Sequence, residues 1–166
     1  DGHADIIFED DEGSLAAWFM RSNSVISAAL LTPSRVGDRN FRVVGTGDFN
    51  QDGKEDLVFQ HTDGTLAVWH MNGTSLVSGA LLDPSRPGDR NWRVSAIGDF
   101  DRDGKEDLLF QHTDGTLAVW YLDGLKLRSG ALLNPGNPGE GWRVIGAADF
   151  NSDGTPDLFF QHRDGT

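Results

Sequence analysis

Three stretches of the chain gather oxygen-bearing side chains at one fixed spacing. Asp48, Asn50, Asp52 and Asp56 stand at positions 1, 3, 5 and 9 of the first; Asp99, Asp101, Asp103 and Asp107 of the second; Asp149, Asn151, Asp153 and Asp157 of the third. Position 6 is glycine each time: Gly53, Gly104 and Gly154. Hard cations such as Ca²⁺ take roughly six to eight oxygen ligands at about 2.3–2.6 Å. Alternate residues of a tight loop can face one centre, and the glycine permits the turn that brings in the position-7 carbonyl of Lys54, Lys105 or Thr155. Water or a second carboxylate oxygen would complete each shell. The expectation is one Ca²⁺ per complete loop, three in all. Mg²⁺ suits so protein-rich and flexible a shell less well.

The aspartates at these positions number three, four and three, ten in all, and they would repel one another without a cation. The formal net charge is −12, and three bound divalent ions would offset six of those charges. A chain this acidic repels phosphate backbones, which argues against nucleic acid as a partner. There is no cysteine, so disulfides and thiolate metal sites are excluded. No apolar run reaches the ~20 residues of a membrane-spanning helix, so membrane insertion is not expected. No signal peptide is visible, and any targeting segment is expected to have been removed or to lie outside this sequence.

The elements that must hold these loops repeat. Residues 52–69 recur almost unchanged at 103–120, a diverged copy occupies 1–18, and a shorter one 153–166. The copies start 51, 51 and 50 residues apart, giving repeats 1–51, 52–102 and 103–152 with a partial repeat 153–166 in a single domain. Each period reads as four strands: 41–49 into the acidic loop, 56–61, 65–71 and 75–82. Asp63–Gly64 and Asn72–Gly73 supply the hairpins. In 65–71, Leu66 and Val68 fall on one face, and Ala67, Trp69 and Met71 on the other. Two apolar faces fit a sheet packed between two neighbours. The predicted fold is all-β: propeller blades of four antiparallel strands, about 50 residues per repeat, forming a partial ring within one chain.

The three loops, each followed by Leu57, Leu108 or Leu158 and then by Phe59-Gln60-His61, Phe110-Gln111-His112 or Phe160-Gln161-His162, carry a resemblance. They are similar to the FG-GAP/VCBS repeats of integrin-α-like propellers, and the likeness covers essentially the whole chain. It implies that each loop joins the first and second strands of a blade. The first six loop positions also match an EF-hand, but no Glu stands at position 12 and the flanks read as strands. In the first copy only Asp1, Asp5 and the His3 carbonyl are present, so no complete site is expected there.

The reading that follows is a calcium-stabilised extracellular or cell-surface binding or adhesion module, with a protein or glycan ligand and no catalysis of its own. Polar residues repeat with the blade, whereas catalysis needs one constellation in one place; His3, His70 and Tyr121 are unique but scattered. A lectin is the alternative. Trp18, Trp69 and Trp120 recur at one position and Phe41, Trp92 and Trp142 at another, with Gln60/His61, Gln111/His112 and Gln161/His162 beside them. The competing reading makes the aromatics core and the Gln-His pairs strand-edge groups. A third option is a non-catalytic part of a polysaccharide-active enzyme. Asn72-Gly73-Thr74 is a formal glycosylation acceptor that a hairpin explains equally well. Arg35, Arg39 and Arg42, repeated as Arg86, Arg90 and Arg93, form a basic strip expected to pair with nearby carboxylates. Three and a fraction blades do not close a ring of about six to eight; the expectation is either a fragment of a longer propeller or association of two chains into about six blades.

Overall fold

A computed structural model describes residues 4–165. Thirteen strands and no helix occur among them. They run β1 (Ile6–Glu9), β2 (Ser14–Arg21), β3 (Ser24–Arg35), β4 (Phe41–Gly47), β5 (Asp56–His61), β6 (Leu66–Asn72), β7 (Ser75–Leu81), β8 (Trp92–Gly98), β9 (Asp107–His112), β10 (Leu117–Asp123), β11 (Lys126–Leu132), β12 (Trp142–Ala148) and β13 (Asp157–His162).

Pairing is antiparallel within each unit, and the units are blades. β4 to β7 form one four-stranded meander and β8 to β11 the next, while β1 to β3 and β12–β13 supply parts of the flanking two. Adjacent blades latch at their outer strands. Thr32 of β3 bridges Ser75 at the start of β7, which joins the first two blades into one seven-stranded order. Asp83 bridges Lys126 in the same way one period later.

The core lies between blades, because side chains alternate along a strand. On β5, Leu57 and Phe59 pack with Leu15, Ala17 and Leu31 of the preceding blade. Val58, between them, packs with Leu108 and Phe110 of the following one. On β6, Leu66 and Val68 face forward while Met71, with Ala67 and Trp69, faces back, the division that the sequence predicts. β9 repeats the rule: Leu109 joins Leu117, Val119 and Val144 toward the fourth unit. The blades approach closely enough that a Cβ on Gly45 would lie 2.7 Å from Ile97 Cδ1 of the next blade.

Candidate metal centres

Each acidic loop spans the first and second strands of its blade: β4–β5, β8–β9 and β12–β13. Its shape is written in backbone dihedrals. Position 4 takes positive φ at Gln51 (58°), Arg102 (62°) and Ser152 (59°), and position 6 at Gly53 (80°), Gly104 (80°) and Gly154 (88°). A non-glycine residue at positive φ is uncommon, and three at one position mark a constrained turn. The position-1 carboxylate organises it. Asp48 accepts from the N–H groups of Asp52 (3.0 Å) and Gly53 (2.7 Å); Asp99 accepts from Asp103 (3.1 Å) and Gly104 (2.8 Å); Asp149 accepts from Asp153 (3.0 Å) and Gly154 (2.9 Å). Position 5 accepts from the position-7 N–H of Lys54, Lys105 or Thr155.

Position 9 has a second task that the sequence does not announce. The third strand of a blade slips register at His70/Met71 and again at Tyr121/Leu122, which frees an N–H. The carboxylate of Asp56 accepts that N–H from Met71 (2.9 Å), and also the N–H of Phe49 (3.2 Å) and a bond with His70 Nδ1 (2.8 Å). Asp107 accepts from Leu122 (2.9 Å) and Phe100 (2.9 Å). Both are fully buried. Asp5 accepts from Met20 N–H in the first unit, and Asp157 from Phe150 N–H in the fourth. Asp1 and His3 lie outside the described residues.

In the second loop the convergence is direct. Carboxylate oxygens of Asp99, Asp101 and Asp107 lie within 4.8 Å of one another. Ligands about 2.3–2.6 Å from one ion are at most about 5 Å apart, so these residues fit a Ca²⁺-sized cation. The loops also touch in sequence around the structure: Gln51 donates to the Gly104 carbonyl (3.0 Å) and Arg102 pairs with Asp153 (3.2 Å). Glu106 sits at this junction. Burial, and then Glu55, Asp99, Asp107 and Asp48, raise its carboxyl above the ordinary range.

Asp107 is the most perturbed ligand candidate. Burial pushes it up to about 6, against the pull of the Leu122 and Phe100 N–H groups, and the Asp101 and Asp103 charges add to the rise. A raised carboxyl holds its proton in the folded chain at pH values where the unfolded chain has lost it. Its favourable contribution is therefore complete below about pH 4 and is lost as pH climbs through about 6. In EDTA, the stability advantage of the wild type over D107N should shrink by about 1–2 kcal/mol between pH 4.5 and 7.5, read by urea denaturation. A pH-independent gap would contradict it.

The repeated aromatic and Gln-His positions lie on the strands and the opposite rim. Trp69 packs on one inter-blade cluster, and Trp92 and Trp120 on another. Trp18 is exposed and meets Phe8 edge-on, with centroids 4.7 Å apart. Phe41, Trp92 and Trp142 lie against His61, His112 and His162 at 4.9, 5.0 and 5.2 Å. Those histidines contact nearby aspartates: His61 with Asp63 of its hairpin (2.7 Å) and Asp38 of the preceding connector (3.3 Å), His112 with Asp114 of its hairpin (2.9 Å). The glutamines clip blades together. Gln60 donates to the Trp92 carbonyl (2.9 Å) and accepts from Val94 N–H (3.1 Å); Gln111 does the same to Trp142 (3.0 Å) and Val144 (3.0 Å). In the first unit Glu9 takes this place, accepting from Val43 N–H (2.9 Å) and from Arg42 (3.3 Å). In the fourth, Gln161 accepts from Arg143 of its own unit. Of the basic strip, Arg35 pairs with Glu12, Arg42 with Glu9 and Arg86 with Asp63. Asn72 ends β6, and Gly73 at positive φ turns the chain into β7, as Gly124 does after Asp123.

Four-stranded blades with an oxygen-lined loop after the first strand define a repeat module of the β-propeller type. A family model described as "FG-GAP-like repeat" matches the chain twice, over residues 48–110 and 99–160, and the chain belongs to that family. No curated protein matches it.

Proposed function

We propose that this chain is a calcium-stabilised, non-catalytic propeller module that presents a binding surface outside the cell. One observation carries the reading: three loops share the same two left-handed positions and the same carboxylate scaffold, and in the second the oxygens converge within 4.8 Å. Asp48, Asn50, Asp52 and Asp56 would hold one ion with the Lys54 carbonyl. Asp99, Asp101, Asp103 and Asp107 would hold another with Lys105, and Asp149, Asn151, Asp153 and Asp157 a third with Thr155. The ion supplies the positive charge that the buried and crowded carboxylates lack, and it ties the first two strands together. Such loops fill where free Ca²⁺ is high, which supports an extracellular or cell-surface setting. No helix among the described residues is long and apolar enough to cross a membrane. Calorimetric titration of the metal-free chain tests the reading, with about three Ca²⁺ per chain expected; no calcium heat would refute it.

A carbohydrate ligand is the second reading, supported by a cleft between the third and fourth units. Trp142, Gln111 and His112 line it with Arg93, Arg143 and Arg163 and with the carboxylates of Asp114 and Glu140, the latter paired with Arg163. An aromatic edge beside guanidinium and carboxylate groups suits the face and hydroxyls of a sugar ring. Binding on a glycan array that W142A abolishes would support it; a blank array would favour a protein ligand.

A further inference from the structure

The three loops share one scaffold but not one charge. Position 3 is Asn50 in the first and Asn151 in the third, and their side-chain oxygens accept the N–H groups of Asp52 (2.9 Å) and Asp153 (2.8 Å). The second loop has Asp101 there, a fourth carboxylate. A second departure accompanies it. Arg128 on β11 stands one period after Val77 and two after Ile26, both exposed apolar residues. Its guanidinium reaches the second loop, with Nη2 on Asp101 Oδ2 and Nη1 3.2 Å from Asp103 Oδ2. The extra negative charge and the extra positive charge thus meet in one loop. Among the described residues, the other loops have cationic neighbours at a single carboxylate each: Lys54 at Asp52 (3.5 Å) and Arg102 at Asp153 (3.2 Å). Arg128 straddles two, and one of these, Asp101, belongs to the converging triad.

We propose that Arg128 is a built-in competitor for the cation at the second loop, so that the three sites are not equivalent. The inference rests on the calcium reading above. The guanidinium occupies oxygens that a divalent ion needs, and it compensates the four carboxylates when no ion is there. Filling the site requires Arg128 to leave Asp101 and Asp103. The second site is therefore the weakest of the three with Arg128 in place. Without it, four carboxylates make it the tightest, because a charge-assisted pair no longer has to be broken.

The test is a calcium titration by calorimetry of the full metal-free chain, its R128V variant and the R128V/D101N double variant. Valine is tolerated at this position, since Val77 occupies it one blade earlier. The wild type should show two tighter sites and one at least about tenfold weaker, given the usual strength of charge-assisted hydrogen bonds. R128V should tighten that one site by about tenfold or more and lower the metal-free melting temperature by a few degrees. Adding D101N should bring all three sites to similar affinity, as loops one and three have Asn50 and Asn151. Three ions bound with an isotherm unchanged by R128V would overturn the Arg128 inference and leave the calcium reading intact. No calcium heat in any of the chains would refute both.

Discussion

Stripping calcium from the saturated protein with EDTA should lower its melting temperature by about 20 °C. A ligand that binds only the folded state stabilises it by about 2.7 kcal/mol at a hundred times its dissociation constant. Three such sites give about 8 kcal/mol, comparable to the whole stability of an ordinary domain. For a chain of this size each kcal/mol moves the midpoint by roughly 2–4 °C. The geometry explains why the effect concentrates in the loops. Asp56 and Asp107 are fully buried, each held by one N–H of its own acidic loop and one of the third strand of its blade, and Glu106 is squeezed between neighbouring loops. An ion there would relieve repulsion and pin the bend between strands in one step. Calorimetric scans in calcium and in EDTA decide the matter, and superimposable scans would sink it.

Removing one inter-blade clip should cost about 3 kcal/mol. In Gln111→Ala the carbonyl of Trp142 and the N–H of Val144 both lose their partner at a partly buried interface. Each unsatisfied group costs about 1–3 kcal/mol. Gln60→Ala, at a site only 5% exposed, removes the bonds to Trp92 and Val94. Gln60→Glu should cost less than half as much. Its carboxylate still accepts from Val94 N–H, and Arg93 stands where Arg42 pairs with Glu9 one blade earlier. Urea unfolding with an unchanged slope would read these values. A loss below about 0.5 kcal/mol for both alanine variants would show that the glutamines do not join the blades.

The blade itself was legible because periodicity states it twice, along the strand and along the chain. The opposed faces of β6 follow from counting alternate residues, and Leu66, Val68, Trp69 and Met71 sit where that count puts them. The loops were legible because oxygen, glycine and spacing coincide three times. What lay hidden depends on partners far away along the chain. Gln60 reads as a free hydrogen-bonding group until its two partners, 32 and 34 residues further on, are in place. The second task of Asp56 is invisible because a register slip in β6 leaves no mark in the sequence. Arg128 looks like an ordinary surface charge, and only the turn of β11 past the second loop gives it meaning. The basic strip read correctly in part: Arg35, Arg42 and Arg86 do face carboxylates, each on the hairpin or strand that its connector passes.

Because each middle strand sends alternate side chains to opposite neighbours, no blade owns a complete interior. A copy of 51 residues therefore arrives with half of two seams, and any two copies supply a whole one. Growth by duplication needs no new packing solution, only another tile of the same cut. The same geometry forbids half-measures: a blade lost from the middle would strip cover from both sides at once, so such chains should lengthen or shorten by whole periods.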